Sequence, residues 1–258
     1  MPNIRLKNIN NFICHDIDLN IRDKEFLVLW GATGTGKTTL LNIIAGLVEY
    51  EGSVLFDGIP VDKFPVYKRK VGYLFQSLVL FPHLNVRTNI AYGLRVQGKP
   101  ESEVELRVNE LLKLMGIKHL AGRFPKDLSG GEKQRVALAR ATAPSSEIML
   151  LDEPLNSLDL HTAGYLRTEI HRLHRKLSVT TVYVTHCFEE AFTLADRVAV
   201  LNNGRIVRIG CPEDILKEIN CRAIAEDGFY DCRQGNKNSA AQIKLKDGGV
   251  LCHLGGDR

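Results

Sequence analysis

A chain of 258 residues, 44% hydrophobic and 25% charged, can bury the core of one large domain with room for a small appendage. Its net charge of +4 is too mild to argue for nucleic acid, and no basic stripe with interleaved aromatics runs along it. The N-terminus lacks the apolar core of a signal peptide and no apolar run reaches the ~18 residues of a membrane span, so any membrane role is expected to come through a partner.

Ile4-Arg5-Leu6-Lys7 and Ile17-Asp18-Leu19-Asn20-Ile21 alternate with a period of two and predict half-exposed strands. Phe12 between them has two readings, a turn aromatic packed on the small sheet or a ring stacked on adenine. Phe26 to Trp30 reads as a buried strand and Thr39 to Ala45 as an apolar helix. Between them Gly31-Ala32-Thr33-Gly34-Thr35-Gly36-Lys37-Thr38 matches the phosphate-binding loop G-x-x-x-x-G-K-[ST]. Its glycines free successive N–H groups to curl around phosphate oxygens, Lys37 adds a point charge, and the Thr38 hydroxyl is placed to ligate Mg²⁺. The phosphates then sit at a helix N-terminus, which favours anions. These residues predict binding of a nucleoside triphosphate.

Strands are expected at 53–58 and 71–75, the second ending at Gln76, where a side chain can touch bound Mg²⁺ or the attacking water. From Val86 to Val96 and from Val104 to Met115 the apolar residues recur at helical spacing, which predicts a helical insert with a leucine-rich core stripe. Leu128-Ser129-Gly130-Gly131-Glu132 opens another helix, with Ser129 and Glu132 as a capping box. Two glycines there weaken the helix but let a phosphate approach the amides, so a second anion site is expected.

Ile148 to Asp152 is an apolar strand ending in Asp152 and Glu153, the magnesium-holding and water-polarising positions of P-loop enzymes. Asp159, after Leu155-Asn156-Ser157-Leu158, is expected to cap a helix to about Leu177, and Thr180 to Thr185 a strand carrying His186, a candidate γ-phosphate sensor. A hairpin turns at Asn202-Asn203-Gly204 and a short helix starts at Pro212. Beyond Asn220, turn residues punctuate two or three expected small strands. Cys14, Cys187, Cys211, Cys221, Cys232 and Cys252 show no C-x-x-C pairing, which favours reduced thiols in a cytosolic protein and leaves a contact within the tail open.

The P-loop, strand-end glutamine, LSGGE, Asp-Glu-Pro, SLD and Thr-His stand in an order that closely resembles the nucleotide-binding subunit of an ATP-binding cassette (ABC) transporter over residues 1–219. LSGGE at a helix start separates that family from kinases and GTPases. The resemblance implies an α/β fold: a P-loop NTPase (RecA-like) core with an antiparallel β subdomain and a helical insert at about 77–143. It implies a short β-rich tail at 220–258, like the opening of an OB-like regulatory region. It assigns ATP to Phe12, Gly31, Ala32, Thr33, Gly34, Thr35, Gly36, Lys37, Thr38 and Thr39. Mg²⁺ goes to Thr38, Gln76 and Asp152, and catalysis to Glu153, His186 and Gln76. Ser129, Gly130 and Gly131 would bind the γ-phosphate of an opposite copy, and Asp159 would help join the two sites.

The implied partners are a second ATPase subunit, integral membrane permease subunits and, indirectly, a solute-binding protein, with the chain peripheral at the cytoplasmic face of the membrane. The solute leans to molybdate, tungstate or sulfate; polyamine, sugar or iron import and a soluble non-transport ABC ATPase are the alternatives. Four positions depart from the family pattern. Ala32 stands for its usual Pro, Cys187 for Asp, and Asn156-Ser157 for Ser-Ala.

Overall fold

The computed structural model describes residues 2–225 apart from 145 and 157, and three further strands at 228–231, 241–245 and 250–254; side chains are described as far as residue 215. The first elements are β1 (Ile4–Asn10), β2 (Ile17–Ile21), β3 (Phe26–Trp30), α1 (Lys37–Ala45), β4 (Glu51–Phe56), β5 (Ile59–Pro60) and β6 (Val71–Leu74). The helices α2 (Val86–Val96), α3 (Glu101–Leu114) and α4 (Gly130–Thr142) follow, then β7 (Ile148–Asp152), α5 (Leu160–Leu177), β8 (Thr180–Thr185) and α6 (Phe188–Leu194). Next come β9 (Arg197–Asn202), β10 (Arg205–Gly210), α7 (Pro212–Glu218), β11 (Ile219–Ala225), β12 (Gly228–Asp231), β13 (Ala241–Leu245) and β14 (Val250–Leu254).

The main sheet has six strands in the order β10-β9-β3-β8-β7-β6, parallel throughout except for β10 against β9. Every residue of its central strands β3, β8 and β7 is buried because both faces are covered, the threonines of β8 included. The pleat sends alternate residues of β3 into different cores. Phe26, Val28 and Trp30 pack with Met149, Leu151, Tyr183, Val198 and the helical layer. Leu27 and Leu29 pack with Leu40, Leu41, Ile43 and Ile44 of α1 and with the antiparallel sheet β2-β1-β4-β5. Parallel pairing of β3, β8 and β7 brings Trp30, Thr185 and Asp152 to the same edge. That edge is where open α/β sheets bind ligands.

The β9–β10 hairpin turns through Asn203 and Gly204, both at positive φ (46° and 73°), the geometry that suits the right-handed strand twist. Its tip is a wedge. Gly204 N–H donates to the Thr35 carbonyl (3.2 Å), and its own carbonyl accepts from His15 N–H (2.8 Å). A Cβ at Gly204 would stand 1.8 Å from the Ile13 carbonyl oxygen, so only glycine fits there.

In the helical layer Val104, Val108, Leu111 and Leu112 are fully buried as the expected stripe requires, but Leu106, expected in the same stripe, is 75% exposed because it falls on the outer face of α3. Asn85 caps α2 by accepting from Thr88 N–H, and α5 runs from its cap at Asp159 to Leu177. Two expectations need correction. β6 stops at Leu74, so Gln76 lies in an exposed turn beyond the strand rather than at its tip. Among its described residues the tail forms four strands, not two or three, in the order β12-β11-β13-β14, the first beginning where α7 ends. Ser157 lies outside the described residues, as do the side chains of Cys221, Cys232 and Cys252 and much of the expected OB-like segment.

Candidate functional site

The loop between β3 and α1 is shaped by two left-handed glycines, Gly34 (φ 84°) and Gly36 (φ 100°). Gly36 is the N-cap of α1, so the free amides of the helix open onto the loop. Lys37 is buried and its ammonium donates to the carbonyls of Gly31 (2.9 Å) and Ala32 (2.7 Å). Thr35 Oγ1 also donates to the Ala32 carbonyl, while Thr33, Gly34 and Thr38 are exposed and Thr39 is half-buried. Behind the loop, a Cβ on Gly36 would meet Ile13 at 2.9 Å, and Cys14 is fully buried beside the same glycine. Phe12, next to Ile13, is 79% exposed.

Thr38 Oγ1 donates to Asp152 Oδ1 at 2.9 Å, tying the first turn of α1 to the end of β7. Burial pushes the Asp152 carboxyl above the usual carboxylate range, against the opposing Thr38 hydrogen bond. Glu153, the next residue, has φ 44°, and its N–H donates to the Val184 carbonyl (3.0 Å). A non-glycine residue held in the left-handed region by its neighbours stores strain, as functional positions often do.

The Glu153 carboxylate is clasped on both oxygens. Oε1 is 3.1 Å from His186 Nδ1, and Oε2 accepts from Asn156 Nδ2 at 2.6 Å. The His186 hydrogen bond holds Glu153 below its ordinary value, and Glu153 in turn raises His186. The carboxylate is mostly covered (12% exposed) while the imidazole is open (45%). Gln76 stands in the turn after β6, the strand beside β7, and is exposed.

At the start of α4 the capping box is complete. Ser129 N–H donates to Glu132 Oε2 (2.7 Å) and Glu132 N–H to Ser129 Oγ (3.4 Å). The nearest groups to added Cβ atoms here flank the Asp159 cap of α5: Leu158, just before it, at 3.6 Å from Gly130, and Thr162, in its first turn, at 2.7 Å from Gly131. Asp159 is an exposed N-cap accepting from Thr162 N–H (3.0 Å). The structure thus brings the P-loop, Asp152, Glu153 and His186 together, and sets Ser129, Gly130, Gly131 and Asp159 together in a second group.

Sequence reasoning passed over Asn156 as a contact of Glu153, and Trp30, whose indole N–H donates to the His186 carbonyl at 3.2 Å. An indole next to the first P-loop glycine was the available signal.

The ABC transporter family model matches residues 14–156. The spermidine/putrescine import ATP-binding protein PotA of a Nostoc species is 44% identical over 229 residues, which cover 86% of this chain and 60% of that protein. The sulfate/thiosulfate import ATP-binding protein CysA of Caulobacter vibrioides is 50% identical over 253 residues, covering 92% of this chain and 75% of the relative. Among solved structures, the dimeric post-hydrolysis state of the ATP-binding cassette MJ0796 bound to ADP and Pi superposes with a TM-score of 0.72 at 30% identity, over 81% of this chain and 98% of that one. The chain belongs to the ABC transporter family of ATP-binding proteins. Its fold is that family's mixed α/β P-loop cassette, and it spans 60% of the length of the polyamine-import relative. Among the described residues no helix is long and apolar enough to cross a membrane.

Proposed function

We propose that this chain is the ATP-hydrolysing subunit of an ABC importer, working as a pair of copies at the cytoplasmic face of a membrane permease. The observation that carries this reading is the split of the site. The P-loop, Asp152, Glu153 and His186 share one sheet edge, while Ser129, Gly130 and Gly131 face Leu158 and Thr162 instead. Each copy would offer one half of a pocket, with the second copy's signature closing over ATP held by Gly31 to Thr39. Asp159 lies in the second group, at the seam. Phe12, exposed beside the back of the loop, would stack on adenine.

Lys37 and the loop amides would orient the β- and γ-phosphates. Glu153 is ionised at neutral pH, so it would accept a hydrogen bond from the attacking water, and Asn156 and His186 fix the direction of its oxygens. The neighbouring oxygens of Thr38 and Asp152 are hard donors that suit Mg²⁺, with Gln76 at the same edge. Mg²⁺ there would neutralise charge on the β- and γ-phosphates.

Residues 1–219 would form the ATPase domain, with the helical insert at about 77–143, and 220–258 an extension. The solute leans to a sulfate- or molybdate-type oxyanion, supported by the 50% identity to the sulfate/thiosulfate import relative over most of this chain. Phosphate release by the purified chain, rising more than in proportion to its concentration, tests hydrolysis by paired copies. Co-purification with an integral membrane permease, and ATPase stimulation by a sulfate-binding rather than polyamine-binding partner, test transport and solute.

A further inference from the structure

The His186 imidazole faces Glu153, but its backbone is held separately. Trp30, the last residue of β3, is fully buried and donates its indole N–H to the His186 carbonyl at 3.2 Å. Phe188 and Phe192 meet the indole nearly edge-on, each at 5.9 Å (interplanar angles 75° and 76°), and stack on each other at 4.3 Å. These rings fix the indole plane and therefore the direction of the N–H. Cys187 N–H, the next polar group along, donates to Thr185 Oγ1 at 2.9 Å. The link between β8 and α6 is thus clipped at His186 and again at Cys187. An aliphatic residue at position 30 would fill the space and supply no donor.

We infer that Trp30 is a positioning residue for His186: its N–H pins the His186 carbonyl so that the imidazole can exchange Glu153 for the γ-phosphate without moving the backbone. This rests on the ATPase reading above. The same residue precedes Gly31, so the base of the P-loop and the root of the switch share one rigid group.

Trp30 is the only tryptophan in the chain. Trp30→Phe removes the N–H and part of the ring. Biosynthetic replacement of tryptophan by benzothienylalanine removes the N–H alone, keeps the shape, and decides the matter if Trp30→Phe does not fold. Two readouts are taken on the full chain: hydrogen–deuterium exchange of residues 186–190 without nucleotide, and kcat and KM for Mg-ATP. The expectation is several-fold faster exchange in that segment, with kcat down roughly tenfold and KM within about twofold.

Parent exchange rates in both replacements overturn the inference. Faster exchange with unchanged kcat shows a structural clip only and overturns it too, as does a rise in KM alone, which would place the effect on the P-loop. If the parent chain releases no phosphate from ATP, the ATPase reading itself fails; if the parent hydrolyses ATP and the replacements leave exchange or kcat unchanged, the inference alone fails.

Discussion

Arg140, near the end of α4, donates Nη1 to the carbonyl of Val79 at 2.5 Å. Its Nη2 reaches the Leu78 carbonyl at 3.5 Å, and its guanidinium lies 5.1 Å from the centre of the Phe81 ring. Leu78 and Val79 both sit at positive φ (55° and 43°), a costly conformation for a β-branched residue. The helix that begins with the signature therefore holds the strained turn that follows Gln76. Burial pushes the Arg140 guanidinium below its ordinary value, consistent with a cation largely out of water. Arg140→Lys keeps the charge but loses the fork and the ring contact. It should cost about 1–2 kcal/mol in thermal unfolding and speed proteolytic cleavage within 77–82. Parent-like cleavage would show that the turn is held by something else.

Glu153→Gln retains size and one hydrogen-bonding oxygen but loses the charge that orients water. ATP affinity should stay close to parent while turnover falls roughly 100-fold or more. Size-exclusion chromatography with Mg-ATP should then show a long-lived pair of copies. Turnover at the parental rate would remove Glu153 from the mechanism.

The Glu153–His186 pair also makes a pH signature. Glu153 is lowered in the folded chain, so its contribution is present above its ordinary value of 4.5 and is lost as pH falls through the lowered one. His186 is raised, so its contribution is full below 6.5 and is lost as pH rises through the raised value. Both hold between about pH 4.5 and 6.5. The gap in melting temperature between parent and Glu153→Gln, measured without nucleotide, should be widest there and narrow towards pH 8. A gap independent of pH would mean that the two groups do not pair in solution.

Ser129 is given two tasks that a pair of substitutions separates. Ser129→Ala removes the cap and should cost about 1 kcal/mol of stability. Ser129→Asp keeps a capping oxygen, so stability should stay near parent, but it sets a negative charge where the opposite copy's γ-phosphate would arrive. ATP hydrolysis should be nearly abolished in the Asp variant and only reduced in the Ala one. Equal activity in both would argue that the signature never meets phosphate.

Gly204→Ala would place a Cβ against the Ile13 carbonyl at a φ that disfavours it. A loss of at least about 2 kcal/mol is expected from denaturant unfolding, together with weaker ATP binding because Thr35 loses its backbone support. Unchanged affinity despite lower stability would detach the hairpin from the P-loop.

Local chemistry carried much of the fold into view. Apolar runs marked β3 and β7, a β-branched and aromatic run marked β8, and the Ser129–Glu132 and Asp159 caps marked the starts of α4 and α5. The Gly-rich loop stood out because Gly34 and Gly36 need positive φ. Contacts between distant segments were not legible. Trp30 and His186 are 156 residues apart, Arg140 and Val79 61, and no periodicity encodes such meetings. Gln76 was misjudged by two residues because Phe75, which reads as strand, instead stacks on Tyr73 at 4.0 Å outside the ladder.

The wedge at Gly204 bears on how the chain can be cut. Every motif that names the family lies before residue 190, yet the carbonyl of Thr35 leans on a hairpin whose strands begin at Arg197. A fragment ending after His186 would keep all the emblematic sequence and lose the keystone beneath the nucleotide bed. It would look right in an alignment and bind ATP poorly.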